Sequence, residues 1–141
     1  MIGVEILSTG ALKEAYLKQA AAEYEKRLSA YCRVSNLVYK PGASPAGLLK
    51  DKAYKVALCV EGDQLSSEEL AETIKKAALS GRSRLQFVIG DSDGLPAQVK
   101  EKCELRLSFS KMTFPHQLMR VILLEQLDRA FNINAGGKYH K

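Results

Sequence analysis

Short apolar, β-rich runs alternate with segments of helical spacing along the whole chain, and this order constrains the fold more than any other feature. Ile2–Ser8, Arg33–Tyr39, Val56–Val60, Leu85–Ile89 and Leu105–Phe109 read as strands. Leu12–Leu28 carries Leu12, Tyr16, Ala20, Tyr24 and Leu28 on one helical stripe, with Lys13, Glu14, Lys18, Glu25 and Lys26 elsewhere. Lys40–Gly47 holds two prolines and two glycines and reads as a loop, with a short helix expected over Ala46–Lys52. Ser66 and Glu69 make the S-x-x-E capping pattern that opens a helix to about Leu79, where Gly81 stops it. Pro96 suits the first turn of a helix to about Cys103, and Pro115 starts a long one to roughly Asn132. The expected fold is α/β, a mainly parallel sheet with helices on both faces. Ligands of such sheets sit beyond the carboxyl ends of the strands. The segments to watch are therefore Glu61–Leu65, Gly90–Leu95 and Ser110–Pro115.

A chain of 141 residues fits one domain, 1–141, and buries enough surface to need no disulfide or metal staple. No apolar run approaches the roughly 18 residues of a membrane helix. Met1–Leu7 carries Glu5 and lacks a basic n-region, so no secretory signal is expected. Cys32, Cys59 and Cys103 form no C-x-x-C pair and read as free thiols of a reducing, cytoplasmic compartment, serving as small core hydrophobes. His116 and His140 are too isolated for a zinc site. The net charge is +5, and from Leu105 onward six bases face only Glu125 and Asp128. That concentration fits either a solvated surface or a polyanion-facing one.

Four segments could carry chemistry. Phe87-Val-Ile-Gly-Asp-Ser-Asp-Gly94 runs from a strand into a turn with two glycines, where backbone can approach a ligand closely. It lacks the G-x-G-x-x-G spacing and the ligands of a calcium loop. Ser108-Phe-Ser-Lys-Met-Thr-Phe-Pro-His-Gln-Leu-Met-Arg120 passes through a polar loop into a helix start, which offers free N–H donors and a positive dipole end. Thr113 as a local capping residue is the structural alternative. Leu118–Leu124 is apolar except for Arg120, so the last helix is buried on most sides, in the monomer or against another subunit. Glu125 and Arg129 suit an i,i+4 ion pair. The tail Lys138-Tyr-His-Lys141 suits nucleic acid, with cations for phosphate and rings for stacking or proton chemistry, or is a frayed terminus.

Phe87–Gly94, Leu107–Arg120 with its Ser-Phe-Ser-Lys-Met-Thr-Phe-Pro-His core, Glu125–Phe131 and Tyr139-His140-Lys141 together resemble one family, the bacterial large-subunit rRNA pseudouridine N3-methyltransferases of the SPOUT superfamily. Tyr24-Glu-Lys-Arg-Leu28 also matches, and the resemblance runs end to end. It implies a C-terminal trefoil knot, which connection rules alone would argue against. It also implies an obligate homodimer, S-adenosylmethionine as methyl donor, and ribosomal RNA within the ribosome as substrate. Carried onto this chain, the donor contacts are Leu58, Gly90, Asp91, Ser110, Lys111, Met112, Thr113, Phe114 and Pro115. The chain departs from the family at Asp91, where a second glycine is common, and at Asp128, where an aromatic is usual. Gly136-Gly137 suggest a more mobile tail, and Lys40–Tyr54 looks shorter than in relatives.

The resemblance implies that the imide N3 of pseudouridine must lose its proton and lie in line with the methyl, so positioning supplies much of the rate. A general base adds a factor of roughly 10²–10⁴. His140 is the expected base, with His116 as the alternative, and Tyr139 stacks or positions. Arg120 and Arg129 would contact phosphate or stabilise the imide anion. Arg129, Lys138 and Lys141 would face RNA. The chemistry calls for no metal. Two other classes compete with this reading: a ribosome- or RNA-binding factor that keeps the fold without catalysis, and a metal-dependent phosphoesterase on Asp91 and Asp93, which lacks a third oxygen ligand nearby.

Overall fold

The computed structural model describes residues 1–139; His140 and Lys141 lie outside the described residues. Five strands, β1 (Ile2–Thr9), β2 (Cys32–Tyr39), β3 (Tyr54–Gln64), β4 (Arg84–Ile89) and β5 (Leu105–Ser108), form one sheet in the order β2-β1-β4-β3-β5. Every neighbouring pair is parallel. The helices are α1 (Ala15–Leu28), α2 (Ser67–Leu79), α3 (Ala97–Glu101) and α4 (His116–Asn134).

The alternation of the sequence therefore becomes an α/β layer fold, with helices on both faces. On one face α1, α2 and α4 cover Val4, Ile6, Val56, Leu85 and Phe87. On the other, α3 and a 3-10 turn over Pro45–Leu48 cover a smaller cluster of Leu7, Ala57, Val88, Leu95, Val99 and Cys103. Cys32 and Cys103 are buried free thiols, as core hydrophobes should be, whereas Cys59, expected to be one too, is a half-buried free thiol. Helix α4 lies against both α1 and α2. No residue from His116 to Ile133 is exposed, which answers the all-round apolar pattern of that segment. Each of Leu123, Leu124 and Leu127, fully buried, contributes about 1.5–3 kcal/mol by removal from water.

Several expected boundaries move, each for a local reason. The α1 stripe is Leu17, Ala21 and Leu28 rather than one through Tyr16, because the helix starts only after Glu14 and Tyr16 turns outward, 66% exposed. Ala46–Lys52 makes only the 3-10 turn, capped by the Ser44 side chain accepting from Ala46 N–H. Helix α3 is five residues long, with Pro96 as its cap. The capping box forms as expected, with Ser66 and Glu69 each accepting the other's backbone N–H at 3.0 and 2.8 Å. Glu61–Leu65 is no loop: β3 continues to Gln64 through a bulge between Leu58 and Asp63. Gly62 permits this, since a Cβ there would sit 2.6 Å from the Arg106 carbonyl oxygen.

The second face lacks a large helix, and a buried polar network fixes the β2–β3 connection instead. Glu5 accepts from Gln86 Nε2 and from Lys50 Nζ, both at 2.8 Å. Gln86 in turn accepts from Lys50 N–H and donates to the Leu48 carbonyl, both at 2.9 Å. Burial pushes the Glu5 carboxyl up, but the bonds from Lys50 and Gln86 and the charges of Lys50 and Arg84 outweigh it, and the net effect is downward. A lowered folded value means that Glu5 stabilises the fold at neutral pH and loses that contribution as pH falls through the carboxylate range. Urea denaturation as a function of pH should show stability dropping below about pH 4.5. Glu5→Gln should flatten that drop and cost about 1 kcal/mol at pH 7, small because Lys50 is half-exposed. An unchanged pH profile in the variant would remove Glu5 from this role.

Candidate active site

The chain leaves β3 toward α2 on one face and leaves the adjacent β4 toward α3 on the other. This divergence opens a crevice at the carboxyl ends of the two strands, as expected for a topological switch point. A cleft of about 370 Å³ fills it, lined by the end of β3 from Leu58, the turn from Ile89 to Leu95, and the segment from Leu107 through His116 to Met119. Of the residues expected at a donor site, Leu58, Gly90, Asp91, Ser110, Met112, Thr113, Phe114 and Pro115 all line it. Lys111 lies outside that wall and is exposed.

The turn after β4 is built by backbone contact. A Cβ on Gly90 would lie 2.7 Å from the Gly94 carbonyl carbon, and Gly94 has φ +81°. Gly94 N–H closes the turn on the Asp91 carbonyl at 2.9 Å. Asp91 lines the cleft and also braces this turn: one carboxylate oxygen accepts from Asp93 N–H at 2.9 Å, the other from Gly42 N–H at 3.3 Å. The Tyr39 hydroxyl donates to the Ile89 carbonyl at 2.7 Å and fixes the strand end. Burial, aided by the Asp91 charge, pushes that phenol up to about 12.

The β5–α4 segment is stiffened by its serines. Ser108 Oγ donates to the Ser110 carbonyl at 2.9 Å, and Ser110 Oγ accepts from Met112 N–H at 3.0 Å. Thr113 does not cap α4, which begins at Pro115 with no side-chain cap. The unpaired N–H groups of its first turn remain at the edge of the cleft. Met112, 74% exposed, and the partly exposed Phe114 give the cleft an apolar rim. Glu61 and Lys100 also line it, as an ion pair between β3 and α3 that sequence reasoning did not single out. Lys100 holds the Glu61 carboxyl below its ordinary value. Glu61 fell within a watched segment, whereas no local pattern marks Lys100, which the crossover carries to the cleft.

A second polar cluster sits at the other end of α4. The expected Glu125–Arg129 pair forms at 2.6 Å. The Tyr139 hydroxyl donates to the same Glu125 oxygen at 2.6 Å, and the Arg129 guanidinium lies 4.8 Å above the Tyr139 ring. At Gly136 and Gly137 the chain folds back: Gly137 N–H bonds the Asn132 carbonyl at 2.9 Å and Tyr139 N–H bonds Asn132 Oδ1 at 3.0 Å. Lys138 is exposed beside this turn. Donation to Glu125, then burial, pushes the Tyr139 phenol up to about 12. Burial pushes Glu125 up, but the bonds from Tyr139 and Arg129 hold it below its ordinary value. Asp128 is buried near Arg27 at 3.9 Å, and burial raises it. Arg120, nearly buried, reaches the Gly10 carbonyl at 3.5 Å, and its Nε has no hydrogen-bond partner among the described residues. Burial lowers its pKa. His140 and Lys141 lie outside the described residues. No group of three or more metal-ligating side chains occurs among the described residues.

The family model described as "Predicted SPOUT methyltransferase" matches residues 2–140. The chain belongs to the SPOUT methyltransferase family. It is similar to the protein named "Ribosomal RNA large subunit methyltransferase H" of Bifidobacterium animalis subsp. lactis, 46% identical over 159 positions that cover 99% of this chain and 100% of that one. The protein of the same name from Bacillus cereus is 44% identical with the same coverage. The aligned length exceeds the 141 residues of this SPOUT methyltransferase, so these relatives carry residues it lacks. Among solved structures, a probable methyltransferase from Bordetella pertussis superposes with a TM-score of 0.61 at 11% identity, covering 91% of this chain and 95% of that one, which speaks for the fold.

The tail cluster makes a spectroscopic prediction. In ¹³C-tyrosine NMR, Tyr139 should stay protonated up to about 12, and in Glu125→Gln its titration should fall toward the ordinary value of about 10. An unmoved titration would detach Tyr139 from Glu125 in solution.

Proposed function

We propose that this SPOUT methyltransferase transfers a methyl group from S-adenosylmethionine to N3 of a pseudouridine in large-subunit ribosomal RNA. In this reading it acts as a cytoplasmic homodimer on the assembled ribosome. The observation that carries the reading is the strand-end cleft closed by backbone at Gly90, in a chain whose full-length relatives are named for large-subunit rRNA methylation.

The residues fit the donor. Leu58, Leu107 and Met119 offer an apolar wall for a purine, and the Gly90 turn leaves backbone where a side chain would block it. Leu58, Gly90, Asp91 and the Ser110–Pro115 segment would hold the group; of that segment, Lys111 is the residue outside the cleft wall. When bound, the donor supplies a methyl group already activated by its sulfonium. The meeting of the segments 58–64, 90–95 and 109–115 at one end of the sheet is where the trefoil knot of the family would be tied.

The chain must then position the nucleobase and take a proton. Tyr139, like any phenol, is protonated at neutral pH, and the bond to Glu125 holds its ring in place, so it stacks or positions rather than acting as base. The base role falls to His140, with His116, which lines the cleft, as the alternative. Arg120 brings a buried cation with a spare Nε donor for an imide anion or a phosphate. Arg129 orders the tail through Glu125, and Lys138 and Lys141 meet RNA phosphates. Glu125 lies nine residues along α4 from His116, about 14 Å at 1.5 Å per residue. A cleft and a tail cluster so separated favour a site in which the tail of one protomer completes the cleft of the other.

Ribosomes lacking the modification, incubated with this enzyme and S-adenosylmethionine and then digested for nucleoside mass spectrometry, should yield N3-methylated pseudouridine. Methyl on another nucleoside would redirect the substrate assignment, and absence of methyl transfer would favour a non-catalytic binding factor. His140→Ala should slow single turnover at neutral pH by about 10²–10⁴-fold, and an unchanged rate would transfer the base role to His116.

A further inference from the structure

We propose that Lys100 and Glu61 form the subsite for the amino-acid end of the methyl donor, the Lys100 ammonium taking its α-carboxylate and the Glu61 carboxylate its α-ammonium. The proposal rests on the reading of the cleft as the donor site.

A donor of this class has two unlike ends. One is a neutral nucleoside, the other a zwitterion. The cleft is divided in the same way. Its inner wall is apolar at Leu58, Ile89 and Leu107, while its charged lining comes from Glu61, Asp91, Asp93 and Lys100. Asp91 is already spent on the backbone N–H groups of Asp93 and Gly42. Among the described residues Lys100 is the one lysine or arginine on the wall, with its side chain only 27% exposed, so a carboxylate entering the cleft meets this cation. Glu61, 60% exposed, faces it as its partner.

The pairing suits an exchange. A zwitterion inserted between the two side chains replaces one ion pair by two, and neither protein charge is left without a partner at any stage. Lys100 is already partly desolvated by α3, so much of its desolvation cost is met by the fold before a ligand arrives. The local architecture also aims both groups. The β3 bulge and the tight seat of Gly62 against Arg106 set the direction of Glu61. The Arg106 side chain donates to the Lys100 carbonyl at 3.5 Å and holds the end of α3.

Calorimetry on the full-length protein tests this with three probes: S-adenosylhomocysteine, decarboxylated S-adenosylmethionine and 5′-methylthioadenosine, which lacks the amino-acid end. Lys100→Met should weaken S-adenosylhomocysteine about tenfold, the worth of one charge-assisted bond. It should leave decarboxylated S-adenosylmethionine and 5′-methylthioadenosine unchanged. Glu61→Gln, a substitution of one side-chain atom, should weaken the first two and spare the third. Lys100→Arg should recover most of the loss. Equal weakening of all three probes, or no change in any, overturns the subsite. Failure of the unsubstituted protein to bind S-adenosylhomocysteine overturns the donor-site reading itself.

Discussion

Helix α4 is held between α1 and α2 against the sheet, with no exposed residue from His116 to Ile133, and the rest of the site depends on that confinement. Its first turn forms one wall of the cleft, and its second half carries the Glu125–Arg129 pair that ties down Tyr139. A helix buried on most sides cannot tilt or slide without opening a close-packed core. The separation between cleft and tail cluster is therefore a fixed property of the chain. Leu123, Leu124 and Leu127 do more than stabilise: they fix the distance between the cleft and the tail cluster.

The cleft follows from connectivity as much as from sequence. Because β3 and β4 are neighbours whose connections leave to opposite faces, their carboxyl ends cannot be covered by either helix. Gly90 and Gly94 then let backbone meet backbone in the space a Cβ would take. Asp91 braces this turn through Asp93 and Gly42, and the apolar wall at Leu58, Ile89 and Leu107 stays intact.

Much of this was legible in the residues. The alternation of strands and helices named the layers, the strand-end rule named the Gly90–Leu95 and Ser110–Pro115 cleft segments but only Glu61 of Glu61–Leu65, and the apolar run after Leu118 named a buried helix. What escaped has physical reasons. A bulge is invisible to period-two counting, so β3 appeared to stop at Val60 while Gly62 allowed it to resume pairing. Lys100 reaches the cleft through a crossover that no local pattern encodes. The part of Asn132, which binds both Gly137 and Tyr139, is set by a chain reversal that no local pattern marks. The polar network of Glu5, Gln86 and Lys50 joins three segments far apart in sequence and replaces the helix that the short β2–β3 connection lacks. The Ser108–Arg120 stretch and the closing Tyr139-His140-Lys141 gave the family by resemblance, and of these the structure describes Ser108–Arg120 and Tyr139.

The account stands on a site shared between two chains, and complementation tests that most directly. A cleft-defective chain, Gly90→Val, and a tail-defective chain, Tyr139→Ala with His140→Ala, should each be inactive as homodimers. Co-expressed and purified as mixed dimers, they should regain ribosomal RNA methylation, because the intact cleft of one meets the intact tail of the other. Mixed dimers as inactive as their parents would place cleft and tail of the same chain in one site and contradict the account.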